Sequence, residues 1–447
     1  MMAHQDCPLT SLDFDNLTTR RETMRDFCDG SGRPRIVYVL TASLAVRFLR
    51  GQLRYLREAG FDVTVIASWG EELATIPEAE GVRAISVPFS RGISLRKDLM
   101  SLWHLWRVMR RIRPTITSVG TPKAGLLGGL VAFFAGVPCR LYTLRGLRLQ
   151  TVTGMRRRVL LFAERLACLS AHRVICVSNS LRQEAVTLGL ADPQKTVVLG
   201  SGSSNGVDVL RFDLDQTERQ KIVELRSKLG IPPGAPVVGF VGRFTQDKGI
   251  AELLEAFSVL RKNMRELKLL LVGDFEEGDP PTPHIVQRIK TDPNIICPGF
   301  VADPALYYQI MDVLALPTHR EGFPNAVLEA NASGKPAVVT NATGAVDSVI
   351  DGVTGFIVPV GDSVALANAL AKLLYDPSLA KSIGQTARDR AAAEFRQATI
   401  WAGMLGECRR LLVAKALPLP LAEVQARESA PIPEGGFAQS CIESSND

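Results

Sequence analysis

Two glutamates separated by seven residues stand in the segment 319–336, which reads HREGFPNAVLEANASGKP. A glycine and a proline follow Glu321 within three positions and break a helix, so Glu321 is predicted to lie on a tight loop. Asn325 is predicted to begin a helix, and Glu329 lies one turn inside it. A helix N-terminus attracts phosphate, and ionised carboxylates accept hydrogen bonds from sugar and ribose hydroxyls. The segment therefore indicates a site that recognises phosphate and sugar side by side.

The same segment resembles the Glu-x7-Glu signature of the retaining glycosyltransferases of family four, which have the GT-B fold. Further segments resemble motifs of that family and follow one another in the expected order: SSNGVDVLRF (203–212), VVGFVGRFTQDKGI (237–250), LKLLLVGDF (267–275) and GVTGFIVPVGD (352–362). Together they extend the resemblance over roughly residues 33–410, with the strongest motifs from residue 203 onward. The resemblance implies transfer of a sugar from a nucleotide diphosphate donor, with the α configuration retained.

The resemblance also implies roles for single residues in the second half of the chain. Arg243 and Lys248 follow a predicted strand and would neutralise the leaving diphosphate, since a guanidinium and an ammonium can do so without a metal. Glu321 would meet the donor sugar, and Glu329 would accept hydrogen bonds from the ribose. The other donor-binding positions that it implies are Gly242, Phe323, Asn325 and Ala326. The alternatives are a solvated loop pair for the two cations and exposed positions for the glutamates.

Short apolar strands alternate with helical segments and glycines along the chain, a rhythm that predicts parallel α/β sheets. The strands are predicted at 35–40, 62–67, 116–119, 140–143, 173–177, 195–199, 237–241, 268–272, 295–297, 313–316, 337–340 and 356–358. A helical stretch is predicted to follow the first strand and to run through Leu56. The predicted fold class is α/β, in the GT-B arrangement of two doubly wound Rossmann-like domains that face a central cleft.

The turn after the first strand argues against a dinucleotide-binding dehydrogenase, which would share this alternation of strands and helices. Such an enzyme carries Gly-x-Gly-x-x-Gly there, whereas LTASLAVRF contains no glycine and the next one is Gly51.

The predicted divisions of the chain are a disordered leader (1–32), an acceptor-binding domain (33–202), a nucleotide-sugar-binding domain (203–393), a crossover helix that returns to the first domain (394–415) and a disordered tail (416–447).

Charge is distributed unevenly along the chain. Residues 33–199 carry 25 Lys and Arg against 10 Asp and Glu, whereas residues 200–447 carry 24 against 30. A basic domain is typical of proteins that bind nucleic acid, an anionic membrane or a phosphorylated substrate. The sequence has no zinc finger, RNP-like strand or recognisable helix-turn-helix, so nucleic acid is not expected as a partner. An anionic membrane surface or a phosphorylated lipid is favoured.

Three basic residues of the first half are predicted to contact the acceptor. Lys123 lies between a predicted strand and a predicted helix, where an anion could bind; a helix-starting lysine without a binding role is the alternative. Arg145 and Arg148 belong to the basic, glycine-containing run 142–158. A flexible basic loop of this kind would suit an acceptor that bears a diphosphate, and a merely solvated loop is the alternative.

Neither a metal nor another cofactor is expected. The two Asp-x-Asp sequences, 13–15 and 213–215, lie in the leader and beside the connector and are interpreted as solvated acids. The eight cysteines are dispersed, without Cys-x-x-Cys or a Cys/His ligand spacing, which indicates free thiols in a reducing cytoplasm. His319 adjoins the loop of Glu321 and is interpreted as a structural contact rather than a base.

Two segments bear on the membrane. The longest apolar run, 124–139, would span about 24 Å as a helix, less than a hydrocarbon core of about 30 Å, so a buried helix is predicted. Residues 91–113 hold seven Arg or Lys and one Asp, with Trp103 and Trp106 among apolar residues at helical spacing. They predict a helix that docks on an anionic membrane without crossing it, and ordinary core packing is the alternative. The expected location is the cytoplasm, peripheral on the inner face of the cell membrane.

The activity favoured by the resemblance is transfer of a sugar to a polyprenyl-diphosphate-linked sugar, as in the assembly of bacterial surface polysaccharide. A UDP-sugar is the preferred donor. Other possibilities are a glycosyltransferase with a soluble acceptor, a GT-B sugar epimerase and, from another class, a catalytically silent GT-B binding protein. Intact Arg243, Lys248, Glu321 and Glu329 argue against the silent protein.

Overall fold

The computed structural model describes residues 32–90, 94–213, 216–276 and 278–420. The predicted leader up to residue 31 and the predicted tail from residue 421 lie outside these residues. Within them the chain folds into two parallel sheets, each flanked by helices, which confirms the predicted α/β fold class of two Rossmann-like domains.

The first sheet, as far as the chain is described, has seven parallel strands in the order β3-β2-β1-β4-β5-β6-β7. These are β1 (Arg35–Val39), β2 (Asp62–Ala67), β3 (Arg83–Ser86), β4 (Ile116–Val119), β5 (Cys139–Leu144), β6 (Arg173–Cys176) and β7 (Thr196–Val198). Its helices are α1 (Gln52–Glu58), α2 (Glu71–Glu80), α3 (Leu95–Ile112), α4 (Pro122–Phe134), α5 (Gly154–Ser170) and α6 (Asn179–Thr187).

The second sheet has six parallel strands within the described residues, in the order β10-β9-β8-β11-β12-β13. These are β8 (Val237–Val241), β9 (Lys268–Val272), β10 (Ile295–Gly299), β11 (Val313–Leu316), β12 (Ala337–Thr340) and β13 (Gly355–Val358). The later helices are α7 (Gln216–Lys228), α8 (Ile250–Arg261), α9 (Pro283–Thr291), α10 (Ala305–Ile310), α11 (Asn325–Ala332), α12 (Ser363–Tyr375), α13 (Pro377–Glu394) and α14 (Gln397–Ala414).

The strands lie where apolar runs predict them because parallel strands covered on both faces are buried at nearly every position. The strands β11 and β12, which read VLAL and AVVT, are buried throughout. The edge strand β3 was not predicted. It reads RAIS, and it is only partly buried, so no apolar run marks it.

The predicted helical stretch through Leu56 is wrong in one respect, since it is interrupted. A 3₁₀ helix, Ser43–Leu49, is followed by a break at Gly51, after which α1 begins. Gly51 has a φ of +77°, and a Cβ atom there would lie 2.4 Å from the ring of Trp401 on α14. The break therefore makes room for the last helix to pack on the first domain.

The last helix returns to the first domain, where the crossover helix was predicted. Asn205, in the connection between the sheets, accepts a hydrogen bond from Trp401 Nε1 at 2.8 Å and donates one to the carbonyl of Arg50 at 2.9 Å. Glu407 on α14 pairs with Arg173 of β6 at 2.9 Å. These contacts tie the connection, α14 and the first sheet together.

In both sheets the strand order reverses once, between β1 and β4 and between β8 and β11. Ligands of such sheets bind in the crevice outside the carboxyl ends of the strands at these reversals. The 3₁₀ helix Arg148–Thr151, just beyond the carboxyl end of β5, contacts loops at the carboxyl end of the second sheet, so both crevices border one cleft.

The apolar run 124–139 supplies most of α4, which is largely buried between its neighbours, as predicted. Among the residues that the structure describes, none of the helices is both long enough and apolar enough to cross a membrane.

A buried hydrogen bond joins α5 to β5. The Tyr142 hydroxyl donates to Glu164 Oε2 at 2.7 Å, and both side chains are buried. Burial raises the pKa of Glu164 to about 7, although the bond from Tyr142 acts in the opposite direction. Between about pH 4.5 and about pH 7 the folded chain therefore retains a proton on Glu164 that the unfolded chain has released.

We expect the free energy of unfolding to fall as the pH rises from about 4.5 through about 7, because the proton on Glu164 stabilises only the folded chain. Glu164→Gln can still accept from Tyr142 but has no charge to bury. In urea unfolding at pH 8 the variant should be more stable than the wild type, by about 2–3 kcal/mol. At pH 4.5 this advantage should disappear. Glu58→Gln, at an exposed position, is the control, and parallel pH profiles for wild type and Glu164→Gln would refute the expectation.

Candidate active site

Glu321 lies on the loop that follows β11, as predicted, and its side chain contacts Lys248. The Lys248 ammonium donates to Glu321 Oε1, and the two side chains are 13% and 16% exposed. The backbone amide of Glu321 donates to the carbonyl of Thr343 at 3.0 Å, which holds the loop in place. Two residues that were predicted to serve the donor are thus in direct contact, although 73 positions separate them.

The loops that carry these two residues are held together along their length. The carbonyl of Asp247 accepts hydrogen bonds from the amide of His319 at 2.8 Å and from the hydroxyl of Thr318 at 3.1 Å. The carboxylate of Asp247 pairs with Arg320 at 2.6 Å. A Cβ atom at Gly249 would lie 1.9 Å from the carbonyl oxygen of Pro317, so the close approach requires glycine.

Asp247 is the buried anion that organises this pair of loops. Burial on its own would raise the pKa of Asp247, but the hydroxyl of Thr245, 2.5 Å away, and the charges of Arg320, Lys248 and Arg243 lower it below its ordinary value. The side chain is therefore ionised at neutral pH. His319 has a partner of its own in Glu252, with 2.7 Å between Nε2 and Oε1, a structural contact of the kind that was predicted.

Arg243 lies at the rim of the cleft rather than in its floor. Its guanidinium pairs with the carboxylate of Glu276, and both side chains are substantially exposed. Gly242, just after β8, brings its carbonyl so near to Gly273 that a Cβ atom on the latter would lie 1.8 Å from it. The chain just after β8 therefore packs closely against the chain just after β9, and position 273 has no space for a side chain.

Glu329 lies on α11, one turn after the helix begins at Asn325, as predicted. The hydroxyl of the buried Tyr308 donates to Glu329 Oε2 at 2.7 Å. Burial raises the pKa of Glu329, while the bond from Tyr308 and the charge of Arg211 act in the opposite direction. Because Tyr308 engages Oε2, the carboxylate is held in one orientation and Oε1 is left for another donor.

The predicted amide contacts of Phe323, Asn325 and Ala326 all fall at the start of α11. The first amides of a helix have no acceptor within the helix, so those of Asn325 and Ala326 can bind an anion. The buried side-chain oxygen of Asn325 has no hydrogen-bond partner among the described residues. The ring of Phe323 packs on Phe395, with ring centroids 5.2 Å apart, which fixes the loop to the core.

The first domain contacts the loop of Glu321 directly. A Cβ atom on Gly322 would lie 2.1 Å from the carbonyl oxygen of Arg145, and one on Gly344 would lie 2.3 Å from the carbonyl oxygen of Gly322. The backbone at Gly322 is therefore enclosed between the two domains, with no space for a side chain.

Hydrogen bonds reinforce this contact between the domains. Arg320 Nε donates to the hydroxyl of Thr151 at 3.1 Å, and Gln150 Nε2 donates to the hydroxyl of Thr343 at 2.8 Å. On the other side, the amide of Ser180 donates to Asp347 Oδ1 at 3.1 Å. The segment 145–151 thus lies across the loops of the second domain.

The three predicted acceptor residues have different surroundings. Lys123 pairs with Asp98 at 2.5 Å and donates to the carbonyl of Ser90 at 2.8 Å, so its charge is neutralised by the start of α3. Arg148 is exposed on the segment that crosses to the second domain. Arg145 has two buried nitrogens without a hydrogen-bond partner among the described residues. A role in acceptor binding stays a prediction for all three.

Sequence reasoning missed Tyr308, Glu276 and the contact between Arg320 and Thr151. Glu276 lies four residues after β9, so its position beyond the carboxyl end of a strand was the available signal. No local pattern marks Tyr308, because its partner Glu329 is 21 residues away.

Comparison with known proteins agrees with this geometry. Residues 45–202 match the family described as a glycosyl transferase 4-like domain, and residues 221–390 match glycosyl transferases group 1. The capsular polysaccharide biosynthesis glycosyltransferase CapM of Staphylococcus aureus is 38% identical over 367 residues, which cover 82% of this chain and 94% of that protein. The UDP-Gal:alpha-D-GlcNAc-diphosphoundecaprenol alpha-1,3-galactosyltransferase of Escherichia coli is 28% identical over 324 residues, or 71% of this chain and 81% of that enzyme.

A solved structure shares the fold. The crystal structure of Anabaena HepE in complex with UDP and glucose matches with a TM-score of 0.71 at 21% identity, and the match covers 85% of this chain and 100% of that chain. Two facing Rossmann-like domains with this site between them define a GT-B enzyme. The chain belongs to the GT-B glycosyltransferases of the family-four type.

Proposed function

We propose that this glycosyltransferase transfers a sugar from a UDP-sugar to a polyprenyl-diphosphate-linked sugar, with retention of the α configuration, during assembly of a cell-surface polysaccharide. The strongest support is the contact between Lys248 and Glu321 where the two domains meet, with Glu329 on the adjoining helix. One cleft thereby holds a cation suited to a diphosphate and carboxylates suited to sugar and ribose hydroxyls.

Donor binding in this proposal exchanges the partners of two cations. Lys248 pairs with Glu321 and Arg243 pairs with Glu276. A diphosphate carries more charge than one carboxylate and offers more acceptor oxygens, so it displaces Glu276 from Arg243 and shares Lys248 with Glu321. As the bond to the sugar breaks, charge develops on the diphosphate, and the two fixed cations stabilise it.

In this proposal Glu321 accepts hydrogen bonds from the donor sugar and does not act as a base. A carboxylate paired with an ammonium group is a weak base and a weak nucleophile, whereas it still accepts hydrogen bonds from sugar hydroxyls. The leaving phosphate takes the proton of the accepting hydroxyl, so the sugar is received on the face from which UDP departs. Glu329, oriented by Tyr308, accepts from the ribose hydroxyls through Oε1.

The donor and the acceptor are inferred from relatives together with the charge of the first domain. The Escherichia coli relative is named for UDP-Gal and a diphosphoundecaprenol-linked GlcNAc, and the Staphylococcus aureus relative for capsular polysaccharide. The Anabaena structure contains UDP. The excess of 25 Lys and Arg over 10 Asp and Glu in residues 33–199 fits an acceptor that carries a diphosphate.

We expect Arg243→Ala and Lys248→Ala to lower kcat/KM for transfer by at least about two orders of magnitude, because each removes a fixed charge from the leaving diphosphate. Glu321→Ala should be comparably harmful, whereas Glu329→Ala should mainly raise KM for the donor. The assay is transfer from radiolabelled UDP-sugars to a membrane extract, with Lys290→Ala, at an exposed position on α9, as the matched control.

Near-normal turnover of both the Arg243 and Lys248 variants would remove the proposed diphosphate site. Product analysis by NMR separates the alternatives, since a retaining transferase forms an α-linked product. An epimerase would convert the UDP-sugar without an acceptor, and a silent binding protein would give no product with any donor.

Metal independence is also part of the proposal, because Lys248 and Arg243 supply the positive charge that a metal would otherwise give to the diphosphate. We expect activity to persist in excess EDTA at the rate measured before chelation. A chelation series with Mg²⁺ and Mn²⁺ added back is the measurement. Complete loss with EDTA and recovery with either ion would contradict the proposed means of neutralising the leaving group.

The outer face of α3 and α5 is the proposed membrane-binding surface. Helices that precede successive parallel strands all begin at the cleft edge of the sheet, and α3, α4 and α5 lie side by side. In the first nine residues of α3 and of α5, large apolar side chains are exposed: Leu99, Met100, Trp103, Met155, Val159 and Phe162. Leu105 and Met109 on the opposite face of α3 are buried, so this helix has a core face and a separate outer face.

Charge makes that outer face suited to an anionic surface. The guanidinium of Arg107 lies over the ring of Trp103 at 5.2 Å, and that of Arg110 lies over Trp106 at 5.6 Å. Tryptophan favours the headgroup boundary, and arginine binds anionic headgroups. Each pair therefore suits both the boundary and the headgroups of an anionic membrane. A lipid-linked acceptor would then reach the cleft from the membrane beside it.

We expect the protein to bind anionic liposomes reversibly, since each basic residue near such a surface contributes about 1 kcal/mol. Co-sedimentation should require anionic lipid, fall with added salt and weaken when Arg107, Arg110 and Arg111 become Gln. The matched control changes three exposed cations of the second domain to Gln: Arg219, Lys221 and Lys262. Equal binding to neutral liposomes, or none at low salt, would refute membrane docking.

A further inference from the structure

The loop after β12, residues 341–347, contacts both domains, and we call it the bridging loop. Its ends are fixed to the second domain, since the amide of Asn341 donates to a carbonyl of β13 at 2.9 Å and Arg390 donates to the carbonyl of Asp347 at 3.2 Å. Its middle lies between the loop of Glu321 and two side chains of the first domain. The proposed function assigns no role to this middle part.

One peptide group of the bridging loop is bonded at both of its polar atoms. The carbonyl of Thr343 accepts a hydrogen bond from the amide of Glu321 at 3.0 Å. The amide of Gly344, in the same peptide group, donates to Ser180 Oγ of the first domain at 2.7 Å. A trans peptide is planar, so its C=O and N–H point in opposite directions and cannot rotate independently. This rigid unit therefore links Ser180 to the backbone of Glu321.

The hydroxyl of Ser180 is itself held in one orientation. It donates to Asp347 Oδ2, so its oxygen is left to accept from Gly344. The amide of Ser180 donates to Asp347 Oδ1 at 3.1 Å. Ser180 lies at the start of α6, where helix amides lack acceptors and a carboxylate is favoured. Asp347 of the second domain thus caps a helix of the first domain and orients the hydroxyl that binds the bridging loop.

A second side chain of the first domain binds the same part of the bridging loop. Gln150 Nε2 donates to the hydroxyl of Thr343 at 2.8 Å. Leu147 and Leu149, just before Gln150, are buried, so the backbone that carries this side chain is fixed in the first domain. Thr343 is therefore bonded to the first domain through its side chain and to Glu321 through its carbonyl.

We propose that Gln150 and Ser180 are positioning residues, which hold Glu321 in its place through the bridging loop where the two domains meet. The proposal rests on the proposed function, in which Glu321 accepts hydrogen bonds from the donor sugar. Neither positioning residue needs to touch a substrate. A group displaced by about 1 Å can lose about two orders of magnitude in rate, so the bonds that fix the loop of Glu321 matter for turnover.

The first test is a kinetic comparison of Gln150→Leu with the wild type. Loss of the bond should lower kcat for transfer about tenfold, whereas KM for the UDP-sugar should stay within about twofold, because Lys248 and Arg243 still bind the diphosphate. Thr343→Val removes the same bond from the other side and serves if Gln150→Leu does not fold. Gln183→Leu, at an exposed position on α6, is the control. An unchanged kcat, or an equal loss in the control, would overturn the proposal.

A double variant shows whether Gln150 acts through Glu321. In the Glu321→Ala background there is no carboxylate to position, so adding Gln150→Leu should change the residual rate less than about twofold. A further loss of about tenfold there would overturn the proposal, since Gln150 would then act independently of Glu321. If Glu321→Ala alone keeps full activity, the proposed function of Glu321 fails and the positioning proposal with it. If it loses activity while Gln150→Leu does not, only the positioning proposal fails.

Hydrogen–deuterium exchange tests the positioning without any substrate. The amide of Glu321 is bonded to the bridging loop, so peptide 318–326 should exchange at least about fivefold faster in Ser180→Ala than in the wild type. Peptides from β8 and β9 should exchange as in the wild type, which distinguishes a displaced loop from general loosening of the domain. Ser382→Ala, at an exposed position on α13, is the control. Unchanged exchange in peptide 318–326, or equal acceleration throughout the second domain, would overturn the proposal.

Discussion

The second domain must hold two opposite charges in contact, the ammonium of Lys248 and the carboxylate of Glu321. Each is mostly buried, so neither could be held there without the other. The hydrogen bonds around Asp247 and the glycine at 249 bring their two loops together. The strands β8 and β11, adjacent in the sheet, deliver those loops to the same edge.

The same loop couples the two domains. The backbone at Gly322 is enclosed by Arg145 on one side and Gly344 on the other, and any side chain would separate them. The loop of Glu321 is therefore packed against both domains at once. This contact brings the donor residues of one domain next to the backbone of the other, which suits a reaction that joins two substrates.

Much of the fold could be predicted from sequence because buried parallel strands read as continuous apolar runs, as in β11 and β12. The loop and helix of the Glu-x7-Glu segment could be predicted as well, since glycine, proline and Asn325 act locally. What could not be predicted depends on distant contacts. The break at Gly51 exists to admit Trp401, and Tyr308 orients Glu329 from a separate helix. No local pattern marks the ion pair between Lys123 and Asp98 either.

Donor binding as proposed requires Lys248 and Arg243 to exchange carboxylate partners for a diphosphate. A crystal structure with UDP bound tests this most directly. The predicted result is that both cations lie about 2.7–3.0 Å from diphosphate oxygens, with Arg243 released from Glu276 and the ribose hydroxyls on Glu329. A diphosphate bound elsewhere, with Lys248 still on Glu321 alone and Arg243 still on Glu276, would contradict the proposed exchange of partners.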